Sequence, residues 1–86
     1  MSKTFKQVVY AGLHDALRST NPDICDSIDD LLFKGACVQD IVAHTKLSMR
    51  HQGIDPRQHQ LTIDAVLAYA SVEKEKLNQA KKGSRL

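Results

Sequence analysis

The segment from Pro56 to about Lys81 constrains the fold more than any other part of this 86-residue chain. Asp55 and Pro56 can act as N-cap and first helical residue, so we expect one long helix here. One side of this helix carries Leu61, Ala65, Ala68, Tyr69 and Val72, and the nearly opposite side carries Ile63, Val66, Leu67, Ala70 and Leu77. A helix that is apolar around its circumference must be buried around its circumference.

A chain of this length forms one domain with one modest core. We expect the preceding helices to cover only part of the long helix, so that a second subunit in a two-fold dimer covers the rest. The predicted interface is Ile63, Val66, Leu67, Ala70 and Leu77. A central helix inside a monomeric bundle is the alternative. The predicted fold is therefore a compact all-α bundle of four to five helices, with a single domain over residues 1–82 and a disordered tail over 83–86.

The pattern of residues in the rest of the chain also predicts helices. The first is predicted over about residues 4–18, with Thr4 and Gln7 at the spacing of a capping box. Its predicted inward stripe is Phe5, Val9, Leu13 and Ala16, widened by Val8 and Leu17. Gly12 lies within that stripe, either by accident or because another helix approaches closely there.

Two more helices follow, and each has a recognisable boundary. Asn21 and Pro22 can start the second helix, which we expect to run to about Lys34 and to end at Gly35. A third is predicted over about residues 37–45. Ser48 could then cap a short fourth helix that Gly53 ends.

Composition is ordinary for a soluble globular protein, with 42% hydrophobic and 26% charged residues. There is no apolar run of transmembrane length and no continuous apolar leader, so we expect a cytoplasmic protein without membrane contact. Cys25 and Cys37 lie on apolar faces of predicted helices and fit reduced core residues.

The net charge of +2 is unevenly distributed. Residues 21–43 contain five aspartates and one lysine, whereas residues 44–63 contain Lys46, Arg50 and Arg57 against Asp55. Three histidines fall in the same basic segment, but their spacing of seven and eight residues does not match a metal site. The positive charge of this segment is small compared with that of a strongly basic nucleic-acid-binding domain.

Residues 31–48 resemble the helix-turn-helix of LuxR-type DNA-binding domains. The resemblance is carried by Leu31, Leu32, Gly35, Ile41, Val42, Leu47 and Ser48. It implies a turn near Leu47 and a short recognition helix that Ser48 caps and presents to DNA. On this interpretation Ser48, Arg50, His51 and Gln52 reach the groove, while Lys46 and Arg57 contact phosphate.

Two functions are therefore predicted. The first is a small homodimeric DNA-binding protein of the transcriptional-regulator kind, with residues 36–52 as a helix-turn-helix variant. The alternative is an adaptor or inhibitor that docks on another protein through its apolar C-terminal helix. We expect no catalysis, metal or cofactor, because there is no phosphate loop or nucleophile elbow, and His14 and Asp15 should point apart.

Overall fold

The protein folds as an all-α bundle, as the sequence predicts. The computed structural model describes residues 4–83, with side chains described for residues 4–80. Its elements are α1 (Phe5–Thr20), α2 (Pro22–Phe33), α3 (Val38–His51), a 3-10 helix (Pro56–His59) and α4 (Gln60–Gly83). Within residues 4–83 no helix is long and apolar enough to cross a membrane. Gly83 ends α4, and the remainder of the predicted tail, residues 84–86, lies outside the described residues.

Local sequence signals set the helix ends. Thr4 and Gln7 form the predicted capping box, with the Thr4 hydroxyl accepting from the Gln7 backbone N–H at 3.2 Å and the Gln7 side chain accepting from the Thr4 N–H at 2.9 Å. Gly35 and Gly53 have φ angles of 102° and 77°, which are left-handed conformations that favour glycine. Each follows a helix and completes a Schellman pair of backbone hydrogen bonds. Gly35 therefore ends α2 as predicted.

The long helix α4 lies at the centre of the bundle and contacts α1, α2, α3 and the 3-10 helix. Its buried residues are Ile63, Ala65, Val66, Ala68, Tyr69 and Ala70. The surrounding elements add Leu17, Cys25, Ile28, Leu32 and Ile41 to the core. Alanine side chains are small, so neighbouring helices can approach the α4 backbone closely from several directions.

The predicted α4 interface is wrong for three of its five residues. Ile63, Val66 and Ala70 are only 4%, 1% and 0% exposed, because other helices of the same chain cover them. Leu67 and Leu77 are partly buried. α4 is therefore a central helix that is largely enclosed by its own chain. Of the α4 residues predicted to be apolar contacts, Leu61 is the one left mostly exposed, at 72%.

The face that α1 turns inward differs in part from the prediction, which is confirmed for Leu13 and Leu17. Tyr10, Leu13, His14 and Leu17 lie toward the core, whereas Phe5, Val9 and Ala16 face outward. The inward face also carries a polar contact that periodicity does not predict. His14 stacks on the Tyr69 ring at a centroid distance of 4.5 Å and places Nε2 2.8 Å from a Glu73 carboxylate oxygen.

α3 is one continuous helix through the predicted turn. Residues 45–48 are helical, so Ser48 caps no separate helix. No glycine or proline interrupts residues 38–51, and the first break comes at Gly53. The helix-turn-helix with a turn near Leu47 is therefore wrong as a description of this segment.

Helices α1, α2 and α4 are joined to one another by three polar contacts, one for each pair of helices. The His14–Glu73 contact joins α1 to α4. The Tyr69 hydroxyl donates to Asp29 at 3.0 Å and joins α4 to α2. Arg18 donates to Asp26 at 2.7 Å and joins α1 to α2. We call these contacts the polar junction.

Burial, together with the hydrogen bond to the Asp29 carboxylate, raises the pKa of the Tyr69 phenol well above its ordinary value of 10.0. A raised folded-state pKa contributes stability below the ordinary value, and this stability is lost as the pH rises beyond it. In a Tyr10→Phe variant Tyr69 is the sole tyrosine. We therefore expect tyrosinate absorbance and loss of helical circular dichroism to coincide during an alkaline titration, at a pH above 10.

Free tyrosine amide in the same buffers serves as the control for that titration. Tyrosinate absorbance that rises with the free amide while the helical signal stays intact would contradict the burial of the Tyr69 hydroxyl.

Candidate functional site

The six predicted DNA contacts are exposed, but they do not form one surface. Lys46, Arg50 and Arg57 line a shallow cleft of about 460 Å³. Ser48 and Gln52 line a different groove, and His51 lines neither. Lys46 and Ser48 project in nearly opposite directions because two residues of an α-helix turn through about 200°. The predicted set therefore divides into a cationic group and a separate polar pair.

The cleft, which we call the basic cleft, is built where α3 turns into the 3-10 helix. Lys46 and Arg50 are four residues apart on the last turns of α3, so they share a face. Gly53 then reverses the chain, with its N–H bonded to the Arg50 carbonyl at 3.0 Å. Ile54 and Pro56 contribute to its apolar lining, and Arg57 lines the same cleft.

One carboxylate, that of Asp55, shares the basic cleft. It accepts the backbone N–H of Arg57 at 3.0 Å and lies 3.3 Å from the Arg57 guanidinium. These two contacts, with a smaller contribution from Arg50, hold the pKa of Asp55 below its ordinary value. Asp55 is therefore charged at neutral pH, and it holds the backbone N–H and the guanidinium of Arg57 in place. Lys46 and Arg50 form no ion pair with any other residue of the described region.

The groove that holds Ser48 and Gln52 lies between α2, α3 and α4. It has a volume of about 390 Å³, and most of its wall is aliphatic, including Ile24, Leu31 and Met49. Ser48 stands within α3 rather than at a helix start, so its hydroxyl is not presented at an N-terminus. These two residues are therefore placed beside apolar side chains and away from the cations.

A larger groove lies between α1, α4 and the start of α3. Its volume is about 810 Å³, and its apolar lining is Tyr10, Ala11, Val38, Leu67 and Val72. Lys6, Lys74 and Glu75 stand at its polar edge. Leu67, which was predicted to meet a second subunit, contributes to this groove instead. We call it the α1/α4 groove.

The sequence analysis missed the polar junction. His14 and Asp15 were predicted to point apart, but His14 Nδ1 lies 3.0 Å from an Asp15 carboxylate oxygen. A protonated imidazolium can donate to Asp15 and Glu73 together. One signal could have indicated the junction: a tyrosine in the middle of an apolar helix needs a partner for its hydroxyl.

Across residues 4–80 no three histidine, cysteine, aspartate or glutamate side chains are placed to hold a metal ion. Cys25 is buried and Cys37 exposed, and both are free thiols. Cys25 is a core residue as predicted, whereas Cys37 is not buried.

Comparisons with protein-family models, curated proteins and solved structures found no match for this chain.

Gly53 holds the turn that brings Arg57 to the basic cleft, and a substitution there can be compared with one at Gly12. We expect Gly53→Ala to destabilise the protein by about 1 kcal/mol or more, because an L-residue resists positive φ. We expect Gly12→Ala to stabilise it by about 0.5–1 kcal/mol, because that glycine occupies an exposed position within α1 with nothing within 4 Å of an added Cβ. Urea unfolding measures both changes, and equal effects at the two sites would contradict this description of the turn.

Proposed function

We propose that the protein binds the phosphate backbone of duplex DNA through the basic cleft. The observation that carries this proposal is the convergence of Lys46, Arg50 and Arg57 on one concave surface with a single carboxylate. That carboxylate, Asp55, already contacts Arg57. The cleft therefore has a surplus of positive charge that an anion can neutralise.

The chemistry of these side chains suits phosphate. Guanidinium groups form paired hydrogen bonds to phosphate oxygens, and a lysine ammonium adds a compact charge. Three such contacts give modest affinity that depends on salt, because each neutralised phosphate releases counterions. Phosphate contacts position a protein on the duplex without reading its sequence.

We do not propose sequence-specific contacts to the DNA bases. The predicted base contacts from Ser48 and Gln52 face a groove distinct from the basic cleft. A duplex seated on Lys46 and Arg50 would leave those two side chains on another side of α3. A transcriptional-regulator role would need a sequence-reading surface in addition to the basic cleft.

The second candidate is a protein-binding module, and the α1/α4 groove favours it. Its apolar lining and its edge lysines, Lys6 and Lys74, suit one face of an amphipathic helix with acidic flanks. This surface differs from the one predicted for the adaptor function, because most of α4 is buried in its own chain.

A salt titration tests the DNA proposal. With three phosphate contacts we expect log K to fall with log salt concentration at a slope of about −2.7, and Arg50→Ala to reduce that slope to about −1.8. Fluorescence anisotropy of a labelled random duplex measures both slopes. Circular dichroism confirms that the variant is folded.

Lys34→Ala is the matched control. It also removes one exposed cation, but Lys34 lies at the C-terminus of α2, pairs with Asp30 and is not part of the basic cleft. Its slope should equal that of the unaltered protein. Equal losses in both variants, or no binding at low salt, would refute the DNA proposal and leave the α1/α4 groove as the candidate surface.

A further inference from the structure

The outward side of α1 is an apolar strip with no partner among residues 4–80, whose side chains the structure describes. It consists of Phe5, Val8, Val9, Gly12 and Ala16, and we call it the α1 strip. Phe5, Val8 and Val9 are 84%, 55% and 39% exposed. These three side chains adjoin one another on a single helix, which distinguishes them from apolar residues scattered singly on a surface.

Four members of the α1 strip follow the spacing of a coiled-coil seam. Phe5, Val9, Gly12 and Ala16 are separated by four, three and four residues, which places them at successive d, a, d and a positions. An isolated glycine inside a helix lowers stability. Gly12 has a helical backbone and nothing within 4 Å of an added Cβ, so no contact within the described chain requires it.

We propose that the α1 strip pairs two copies of this chain through antiparallel α1 helices related by a two-fold axis. In an antiparallel seam an a position faces a d position of the other helix. Val9 then faces the partner subunit's Gly12, and Phe5 faces the partner subunit's Ala16. Each large side chain meets a small one, so both copies bury their apolar groups without overlap. Because Gly12 has no side chain, it leaves the space that the partner subunit's Val9 occupies.

The contact between the two α1 strips is small. One pair of 16-residue helices offers much less than the roughly 800 Å² per partner of a standard stable interface. The dimer is therefore weak, with a dissociation constant on the order of 0.1–1 mM. Each chain folds with its core complete, and pairing covers only the α1 strip.

Sedimentation velocity without nucleic acid tests the pairing independently of DNA binding. The weight-average mass should rise between about 10 μM and about 1 mM protein, the range that brackets the expected dissociation constant. Val9→Glu should abolish the rise, because it places two carboxylates in the apolar seam. Glutamate also favours helix, so this change leaves α1 intact.

Leu61→Glu is the matched control, because Leu61 is 72% exposed but lies on α4, outside the α1 strip. This variant should associate like the unaltered protein. A constant monomer mass up to about 1 mM, or equal loss of association in both variants, would overturn the proposal.

Disulfide trapping tests the antiparallel register. In a Cys37→Ser background, a Val9→Cys chain is mixed with an equal amount of a Gly12→Cys chain under mild oxidation. Antiparallel pairing predicts that the mixed Val9→Cys/Gly12→Cys disulfide forms several-fold faster than either homodisulfide. A Leu61→Cys chain gives the rate of random collision. Homodisulfides in excess, or mixed disulfides no faster than the collision rate, would overturn this geometry.

Discussion

The enclosure of α4 is the constraint on which the remainder of the structure depends. Its apolar residues face several directions, and a small domain has few elements with which to cover them. Ala65, Ala68 and Ala70 reduce the width of the helix at its middle, so α1, α2 and α3 can pack close to its axis. The basic cleft and the α1/α4 groove are formed where these surrounding helices meet α4 or the segment that leads into it.

Enclosure also brings polar groups into the bundle, and the polar junction satisfies most of them. Tyr69 is 2% exposed, and its hydroxyl reaches the Asp29 carboxylate on a neighbouring helix. The other oxygen of that carboxylate is buried without a hydrogen-bond partner among the described residues. Buried polar groups that lack partners are costly, so the contacts that do form define one relative placement of α1, α2 and α4.

The sequence predicted those features that depend on neighbouring residues. The capping box at Thr4, the stop at Gly35 and the existence of a long last helix are local signals, and all three are present. Lys46 and Arg50 could likewise be placed on one face from their spacing. Apart from the continuity of α3, the features that were missed depend on packing between distant segments.

One error depends on such distant packing, and another on a local signal that was misinterpreted. The inward face of α1 includes His14, whose partner Glu73 is 59 residues away and is not indicated by any periodicity within α1. The continuity of α3 follows from the absence of a helix breaker before Gly53, although a Leu-Ser pair at 47–48 resembles a turn into a new helix. The alanines of α4 explain a third difference, which is that α4 is covered by its own chain and not by a second subunit. Small residues around a helix can be covered by one chain, whereas bulkier residues would need two.

The concentration dependence of unfolding tests the enclosure of α4 most directly. If one chain supplies the whole covering of α4, the midpoint of urea unfolding should be the same at all protein concentrations well below the millimolar range. A midpoint that falls steadily on dilution would contradict the account, because it would mean that a second chain completes the core.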